Sequence, residues 1–399
     1  MAVPRVLMVT GAFVPELSGG GLQCKAIVDA LQDQARFLVL TTCTDSSLAR
    51  EDDVDGTPVY RVYIDVRSAA SKAAAAARMA QKLVRLRHRF DLVHLHGFSQ
   101  KSMLVVPIAR ILGKKVVLTL HTAGQDEPNA VRDAGWLPYA CYRSVDLFVA
   151  ISPRVAAAYR EAGLPASKLW TGSNGIDIIR FSPASPADRD ALRRELGLDP
   201  RLAWLLFVGF FSRDKAPDVL FEAWRQLRAD VRERCGVIYV GATRSRYHEV
   251  DASLASSIES AAAECGASAR VLFRGETPAI EQYFRAADVF VFPSRREARG
   301  MALVEAMACG LPSVASRLPG ATDHVEDGVT GVMVNPGDAK ACAAAIERLL
   351  DDRAFACALG RAARQAVADR FDIRHTARRM LDAYHHVSGT GPAAVSSPA

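Results

Sequence analysis

The sequence predicts an α/β protein built from two doubly wound domains, and three observations lead to this. Short apolar runs bounded by turn residues recur along the chain, as in VLMVT (6–10) and KVVLTL (115–120), and such runs are typical of buried parallel strands. Helix-like stretches separate the runs, as at 71–89, which is the βαβ alternation of a sheet covered on both faces. The length of 399 residues also exceeds what one hydrophobic core usually covers.

The first domain follows from this alternation, element by element. Strands are predicted at 6–10, 37–42, 91–96, 115–120 and 146–152, which are rich in Val and Leu. Helices are predicted between them at 22–34, 71–89, 102–112 and 136–144. The first half of the chain is therefore expected to form one mainly parallel sheet with helices on both faces.

The second domain begins after an interruption of the pattern. The turn GSNGID (172–177) is followed by the Pro-, Ala- and Asp-rich stretch FSPASPADRD (181–190), which we interpret as a linker. Strands are then predicted at 204–209, 236–241, 270–275, 289–294 and 312–316. Two such domains are expected to face a shared cleft, where the carboxyl ends of the strands bind ligands.

Composition excludes several classes of protein. Half of the residues are apolar and 24% are charged, and no run approaches the ~18 uncharged apolar residues of a membrane span. The net charge of +6 is modest, and basic residues do not interleave regularly with aromatic ones, so no nucleic-acid partner is expected. The N-terminus enters a strand-like run without a secretory signal, which predicts a cytoplasmic protein.

Metal and disulfide chemistry are not expected from the sequence. The eight cysteines are scattered without a CxxC pair or matching histidine spacing, which predicts reduced thiols. The two DxD strings, DVD (53–55) and DRD (188–190), are predicted to fall in loop or linker, and we interpret them as incidental. No metal site is therefore predicted.

Two acids stand near the end of a predicted strand in the second domain. Glu297 follows VFVFPS (289–294) by three residues, and Glu305 lies one turn inside a helix predicted at 301–308. Gly300 leaves backbone N–H groups at the helix start able to face an anion, and carboxylates accept hydrogen bonds from hydroxyls. The pattern suits a ligand that combines sugar, diphosphate and ribose. The alternative is that Glu297 caps the helix and Glu305 is a solvated surface residue.

Several motifs in the same order carry a resemblance to a known family. They are the Glu, seven residues, Glu signature of Glu297 and Glu305, together with GLPSVASRLPGATDHVEDGVTGVMVNPGDAKACAAAIERLL (310–350), SNGIDIIRFSP (173–183) and DLVHLHG (91–97). On these motifs the chain resembles the retaining GT-B glycosyltransferases of family 4, also called glycosyl transferases group 1, over about residues 5–387. The resemblance implies the GT-B fold, with two Rossmann-like domains facing a central cleft.

The resemblance also implies the domain boundaries. An N-terminal acceptor-side domain is expected at 1–178, and a nucleotide-sugar-binding domain at 179–372. RFDIRHTARRMLDAY (370–384) resembles the closing helix of the family, so a helix at 373–388 is expected to cross back onto the first domain. The small, polar tail at 389–399 is expected to be disordered.

The acid pair and the helix start receive roles from the family. Glu305 would accept hydrogen bonds from the ribose hydroxyls of the donor. Glu297 would contact hydroxyls of the donor sugar near the scissile bond, and Gly300 and Met301 would offer backbone N–H groups. This assignment outweighs the capping alternative because the other motifs agree with it.

The stretch FVGFFSRDKAPDVL (207–220) resembles the diphosphate-binding loop of the family. Gly209 keeps the loop glycine, and Lys215 matches the lysine that would stabilise charge on the leaving diphosphate. Phe210 stands where the family has an arginine. Arg213 is our candidate for the missing charge, and the alternatives are Arg295, Arg296 and Arg299.

In the first domain, His121 at the end of KVVLTL resembles the active-site histidine of the family and could hydrogen-bond the donor sugar. Of His94 and His96 on the preceding strand, one is expected to pack inward, and His96 is the better candidate to reach the cleft. The loop GAFVPELSGGGLQCK (11–25) places three glycines before a helix, so its backbone could approach a phosphate or an acceptor. These are Gly19, Gly20 and Gly21, in either of two registers, and a purely structural turn is the alternative.

The resemblance implies a retaining hexosyltransferase that moves a sugar from a nucleotide sugar to a hydroxyl group of a glycan, glycolipid or small metabolite. The expected donor nucleotide is UDP, with GDP and ADP as alternatives, and no cofactor is expected. Two other functions are kept open. One is a donor-binding homologue without turnover, which Phe210 suggests, and the other is another GT-B-shaped enzyme such as a sugar-nucleotide epimerase.

A basic stretch suggests a further partner. Residues 66–90 hold seven Lys or Arg and no Asp or Glu, and a helix there would align Arg78, Lys82, Arg85 and Arg89 beside an apolar stripe. Such a face could rest on anionic lipid at the inner surface of a membrane. An ordinary solvated helix face is the alternative.

Overall fold

The computed structural model describes residues 3–16, 18–121, 126–243, 250–297 and 299–389. The chain divides into two compact units. The first takes the chain up to Gly175 and again from Ile373, and the second takes Ile176–Asp372. The boundaries expected from the sequence were 178/179 and 372/373. Most of the tail expected to be disordered, from 390 onward, lies outside the described residues.

The first unit is an eight-stranded sheet covered by helices. Its strands are β1 (Arg5–Thr10), β2 (Arg36–Cys43), β3 (Glu51–Val54), β4 (Thr57–Tyr63), β5 (Leu92–His96), β6 (Lys115–Leu120), β7 (Leu147–Ala150) and β8 (Leu169–Thr171). Its helices are α1 (Gly19–Leu31), α2 (Ala69–Leu86), α3 (Ser102–Ile111), α4 (Pro128–Asp133), α5 (Trp136–Arg143) and α6 (Pro153–Glu161), with a short 3-10 turn at Ala166–Lys168. The strand order is β3-β4-β2-β1-β5-β6-β7-β8. Only the β3–β4 pairing is antiparallel.

The five strands predicted for this half are present, and the hairpin β3–β4 and the strand β8 are additional. The hairpin turns at Asp55 and Gly56, whose φ angles are 51° and 80°, as the tight Asp-Gly hairpin turn requires. The DxD string at 53–55 therefore lies on β3 and its turn, and not in a loop as predicted. Asp53 accepts the N–H of Gly56 at 2.7 Å, which is a structural role.

The second unit is a six-stranded, all-parallel sheet. Its strands are β9 (Ala203–Val208), β10 (Cys235–Val240), β11 (Val271–Arg274), β12 (Val289–Phe292), β13 (Ser313–Ser316) and β14 (Val332–Val334), in the order β11-β10-β9-β12-β13-β14. Its helices are α7 (Pro186–Glu195), α8 (Pro217–Gln226), α9 (Ala229–Glu233), α10 (Ala252–Glu264), α11 (Ile280–Ala286), α12 (Met301–Ala308), α13 (Ala339–Asp351) and α14 (Arg353–Phe371). Strand order reverses between β9 and β12, the position where open parallel sheets bind ligands.

Much of the stretch interpreted as a linker at 181–190 is instead helix α7. Ser185 caps the helix by accepting the N–H of Asp188 at 3.1 Å, and Pro186 occupies its first turn. The DRD string therefore lies on a helix. Arg193 then anchors α7 through a 2.5 Å ion pair with Asp288. The Pro- and Asp-rich composition reflects the start of a capped helix.

The last helix, α15 (Ile373–Ser388), completes the core of the first unit. Its apolar face recurs every three to four residues and packs in one cluster with side chains of β1, β2 and α1. Gly175 packs tightly against it, because a Cβ at this position would lie 2.6 Å from the Cα of Ile373. No helix in the described part of the chain is long and apolar enough to cross a bilayer.

Candidate active site

The loop between β12 and α12 carries Glu297 and Gly300, two of the second unit's candidate residues. Gly300 ends this loop with φ 61°, a left-handed conformation that glycine tolerates best. A Cβ on Gly300 would lie 2.6 Å from the carbonyl oxygen of Gly320. Gly320 in turn leaves room for the backbone of Glu297, which would lie 2.8 Å from a Cβ there. Both glycines are needed where Glu297 and Gly300 lie against Gly320, in the segment after β13.

Glu297 of this loop forms an ion pair with Lys215, which lies in the loop after β9. The Lys215 ammonium contacts the Glu297 carboxylate directly, and the exposed fractions of the two side chains are 29% and 11%. The Arg299 N–H lies 3.3 Å from the same carboxylate. Burial raises the pKa of Glu297, but the Lys215 charge and the hydrogen bonds from Lys215, Arg299 and Gly300 outweigh it, so the pKa is lowered. Glu297 therefore carries its charge at the start of α12, where the helix dipole also favours an anion.

Glu305 lies one turn into α12 and is half-buried. Burial raises its pKa to about 7; the Arg180 charge opposes this rise, and Glu281 adds to it. Arg180 is itself held by Glu281 at 2.8 Å. The alternative that Glu305 is a solvated surface residue is therefore wrong. A partly desolvated carboxylate is suited to accept hydrogen bonds from ligand hydroxyls.

The diphosphate-loop residues follow β9. Gly209 hydrogen-bonds Val240 through its N–H at 3.0 Å, and its carbonyl oxygen lies 2.2 Å from where a Cβ on Gly241 would stand. Phe210 is half-buried, and Arg213 is highly exposed, with its Nε 3.8 Å from Asp251. The arrangement brings Lys215 to Glu297 but leaves Arg213 at the surface.

The alternative arginines differ in how strongly they are held. Arg295 forms a 3.0 Å ion pair with Asp218. Burial lowers the pKa of Arg299 to about 10, against the opposing attraction of Asp323. Arg296 is exposed. Arg213 and Arg296 are therefore the arginines with the fewest constraints on moving toward a ligand.

His324 supports the loop between β12 and α12, and it was not among the residues predicted from the sequence. Its Nε2 lies 2.6 Å from the carbonyl oxygen of Arg299, so the neutral ring donates to the loop. Burial lowers the pKa of His324, which favours this neutral form. His324 also packs edge-on against Phe371. The signal in the sequence was weak, because a histidine within GATDHVEDG gives no indication of a contact 25 residues away.

In the first unit, His121 lies at the end of β6 beside His96. The Nε2 of His121 is 3.0 Å from the Nδ1 of His96, and the two rings stack. The N–H of His121 donates to Asp126 at 2.8 Å, and the N–H of Phe98 donates to the other oxygen of Asp126 at 2.7 Å. Asp126 thus joins the ends of β5 and β6, which the sequence reasoning missed. Thr122, next to His121, lies outside the described residues.

His94 and His96 both point to one face of the sheet, and both are buried. The prediction that only one packs inward is wrong, because residues two apart on a strand share a face. His94 bonds Tyr384 at 2.8 Å and Thr119 at 2.7 Å, and burial, with a smaller effect of His121, lowers its pKa to about 3. His94 is thus a neutral core residue that joins α15 to the sheet.

The three glycines form the first turn of α1. Ser18 caps the helix by accepting the N–H of Gly21 at 3.0 Å. A Cβ on Gly21 would lie 2.3 Å from the carbonyl oxygen of Ala12, so this glycine is required by packing. Around Gly20, the nearest atoms to such a Cβ are His96 Cβ at 3.9 Å and His121 Cδ2 at 4.0 Å. The helix start therefore adjoins the histidine pair.

Three residues of the basic stripe, Arg78, Lys82 and Arg85, lie on α2. The helix ends at Leu86, so Arg89 lies beyond it in a turn, and the apolar neighbours of the stripe are buried. Met79, Leu83, Leu86 and Phe90 belong to the core. Lys82 is paired with Glu51, and Arg89 contacts the hydroxyl of Tyr60. Arg78 and Arg85 are exposed. Arg78 and Arg85 are therefore the members of the stripe on α2 that are most accessible to an anionic surface.

Among the described ranges, no group of three or more His, Cys, Asp or Glu side chains is arranged to hold a metal ion. Near Glu297, Lys215 carries a positive charge, and the backbone N–H groups at the start of α12 are neutral donors that could face an anion.

Comparison with known proteins decides the family. The model of glycosyl transferases group 1 matches residues 188–366, and that of glycosyltransferase family 4 matches residues 17–180. The chain belongs to the family 4, group 1 glycosyltransferases. The group 1 match falls within the second unit, and the family 4 match falls on the first unit and continues to residue 180. The family expected from the motifs is confirmed.

Curated relatives of this glycosyltransferase are named D-inositol 3-phosphate glycosyltransferases. The protein from Xylanimonas cellulosilytica is 32% identical over 321 residues, which span 76% of this chain and 74% of the relative. The protein from Frankia alni is 32% identical over 327 residues, which span 77% and 76%. These relatives share both units with this chain.

Solved structures confirm the GT-B fold. HepE from Anabaena, in complex with UDP and glucose, has a TM-score of 0.76 at 22% identity and covers 95% of this chain and 99% of its own. Sucrose-phosphate synthase from Thermosynechococcus elongatus has a TM-score of 0.80 at 22% identity and covers 98% and 100%. At this identity the likeness concerns the fold alone.

Proposed function

We propose that this glycosyltransferase is a retaining enzyme that moves a sugar from a nucleotide diphosphate to a hydroxyl acceptor. The observation that carries the proposal is the Lys215–Glu297 pair at the start of α12. It places an ammonium, a charged carboxylate and helix amides together, which a sugar attached to a diphosphate would use. UDP is the favoured nucleotide, because HepE is described in complex with UDP and with UDP-glucose.

In this proposal each group has a separate task. Glu305 accepts the ribose hydroxyls, and Lys215 and the Met301 amide hold the diphosphate. Glu297 accepts hydroxyls of the donor sugar while it keeps Lys215 oriented. As the bond to the sugar breaks, negative charge grows on the leaving diphosphate, and Lys215 stabilises it more than in the ground state.

Retention is assigned to attack on the same face of the sugar. The departing phosphate oxygen takes the acceptor proton, so His121 is not needed as a base. His121 then has the task of hydrogen-bonding the donor sugar. No metal ion or cofactor is required by this scheme, because Lys215, the amides and the helix dipole supply positive charge.

The test is a transfer assay with UDP-, GDP- and ADP-glucose, each with and without EDTA. D-Inositol 3-phosphate is included as an acceptor because the relatives are named for it. We expect release of UDP, insensitivity to EDTA and an α-linked product by proton NMR. A β-linked product would contradict retention, and a loss of turnover with EDTA would contradict the metal-free scheme.

Phe210 favours one second candidate, a donor-binding homologue without turnover, because it removes an arginine from the diphosphate loop. The two candidates differ in a simple measurement. Slow hydrolysis of UDP-glucose in the absence of acceptor would exclude the homologue without turnover. Tight UDP-glucose binding with no hydrolysis and no transfer would favour it.

A further inference from the structure

Lys101 is a half-buried lysine without an acidic partner in the described part of the chain. It lies between β5 and the first residue of α3. Burial lowers the pKa of its ammonium to about 8, and no nearby carboxylate opposes this effect. A desolvated cation without a counterion is unfavourable, so this position is suited to an anionic ligand.

The ammonium lies at the carboxyl edge of the first sheet. Its Nζ is 3.1 Å from the point where a Cβ on Gly11 would stand, and Gly11 directly follows β1. β1 and β5 are neighbours in the sheet. The Lys101 charge also contributes to lowering the pKa of His96, after burial and the charges of His94 and His121, so the ammonium and the His96 ring are close enough to interact.

His96 provides a second, independent indication of a ligand. It is 6% exposed, and its Nε2 is buried without a hydrogen-bond partner in the described residues. Its Nδ1 is engaged by His121. When His121 donates in that bond, the proton of neutral His96 lies on Nε2, which then needs an acceptor.

The start of α1 adjoins the same histidine pair. A Cβ on Gly20 would lie about 4 Å from both His96 and His121, and Gly19 and Gly20 begin α1, where the first N–H groups of a helix have no acceptor within the helix. An anion at this helix start would be stabilised by the helix dipole. Lysine, imidazole and helix amides are thus placed along one edge of the sheet.

We propose that Lys101 binds a phosphoryl group of a substrate at this edge, and that the group belongs to a phosphorylated acceptor. The inference rests on the proposed function, since it assigns a substrate class to the same enzyme. A phosphate would pair with the Lys101 ammonium in a charge-assisted contact and accept from His96. The donor diphosphate carries the same chemistry, and the experiment below separates the two sources.

The experiment is calorimetric titration of the full chain with three probes. They are D-inositol 3-phosphate, neutral myo-inositol and UDP. The variants are Lys101→Gln, Lys101→Arg, which keeps the charge, and Lys72→Gln, which removes an exposed lysine of the same unit. The thermal midpoint of each variant checks that it is folded.

We expect wild type to bind inositol phosphate more tightly than inositol, and Lys101→Gln to weaken that binding about tenfold. Lys101→Arg and Lys72→Gln should remain close to wild type, and UDP binding should be unchanged in all of them. Equal affinities of wild type and Lys101→Gln for inositol phosphate would overturn the proposal. So would a failure of wild type to prefer inositol phosphate over inositol.

Two further outcomes separate this inference from the proposed function. If Lys101→Gln weakens UDP binding and not inositol phosphate binding, the phosphoryl group belongs to the donor and the acceptor assignment is wrong. If wild type fails to bind UDP or any nucleotide sugar, the proposed function fails. The inositol phosphate titration still decides the role of Lys101 in that case, because it needs no donor.

Discussion

The Lys215 ammonium contacts the Glu297 carboxylate although the two residues are 82 positions apart in the chain. The contact joins the loop after β9 to the loop after β12, and these two strands are neighbours in the sheet. The charge of Lys215, the cation proposed to bind the diphosphate, is therefore balanced by Glu297 within the second unit. A donor would have to share Lys215 with Glu297.

Lys215→Gln should lower kcat by about 10²–10³-fold, because one preorganised charge at the leaving group is lost. The change in donor KM should be smaller, since the α12 amides remain. The measurement is steady-state release of nucleotide from UDP-glucose. Lys340→Gln, at an exposed position of the same unit, is the matched control. A variant whose kcat equals that of wild type would remove Lys215 from the mechanism.

Glu305→Gln should raise thermal stability more at pH 8.5 than at pH 5.5. The pKa of Glu305 is raised to about 7 in the folded protein, against about 4.3 for a free Glu side chain. The folded state therefore holds the proton more tightly, and ionisation destabilises it progressively as the pH rises between these values. The measurement is the thermal midpoint of wild type and of the variant at a series of pH values between 5.5 and 8.5.

Glu305 should also make donor binding depend on pH. Binding should strengthen as the pH rises, whereas the stability contributed by Glu305 falls. If the ionised Glu305 accepts the ribose hydroxyls, affinity for UDP should fall as the pH drops below about 7, by up to tenfold per pH unit. Glu305→Gln should bind weakly with little pH dependence. Glu259→Gln, an exposed position in the same unit, should retain the wild-type profile. A flat wild-type profile would show that Glu305 does not contact the nucleotide.

Gly300→Ala should lower both stability and activity, because Cβ would meet the Gly320 carbonyl oxygen at 2.6 Å. Gly328→Ala is the matched control. Gly328 has a similar positive φ of 75°, but nothing lies within 4 Å of a Cβ there. Both variants share the cost of about 1–2 kcal/mol for a left-handed alanine, so the excess loss in Gly300→Ala measures the contact. Thermal midpoints and nucleotide release report the two effects.

Asp126→Asn should destabilise the first unit by about 1–3 kcal/mol. The carboxylate accepts the N–H groups of Phe98 and His121 with its two oxygens, whereas an amide offers only one acceptor oxygen. His121 should then lose its position at the end of β6. Reduced transfer with unchanged UDP binding is the expected result, and simultaneous loss of UDP binding would contradict this division of roles.

Peripheral contact of α2 with an anionic membrane stays a prediction. The exposed and the paired charges on α2 define which substitutions should weaken it. Co-sedimentation with phosphatidylserine vesicles should fall as salt rises. Arg78→Gln with Arg85→Gln should reduce it more than Lys82→Gln, because Lys82 is already paired with Glu51. Binding that resists salt would point to insertion of apolar groups instead.

The strands that lead to the candidate residues of each unit could be predicted, because each is an unbroken apolar run followed by turn residues. The hairpin β3–β4 could not, since EDDV is acidic and exposed and carries no core pattern. Helix α7 was interpreted as a linker because its first turn is rich in Pro and Asp. A capped helix start and a linker can have the same composition, so composition alone does not separate them.

The acid pair could be located from spacing and family motifs, but its environment could not. The burial of Glu305 and the contact between Lys215 and Glu297 depend on which strands lie side by side. Asp126 and His324 were missed for the same reason, because each acts on backbone groups that are distant in sequence. The roles assigned to the glycine-rich helix start and to His121 stay predictions.

The first unit is built from two segments at opposite ends of the chain, and this affects the order in which the two units can fold during synthesis. Helix α15 covers an apolar face of the first unit that includes Ile27 and Val28, yet the ribosome releases it only after residues 176–372. The second unit is contiguous and can fold as soon as it emerges. The half of the protein that is translated first is therefore the half that finishes folding last, with an open apolar face that chaperones could bind in the meantime.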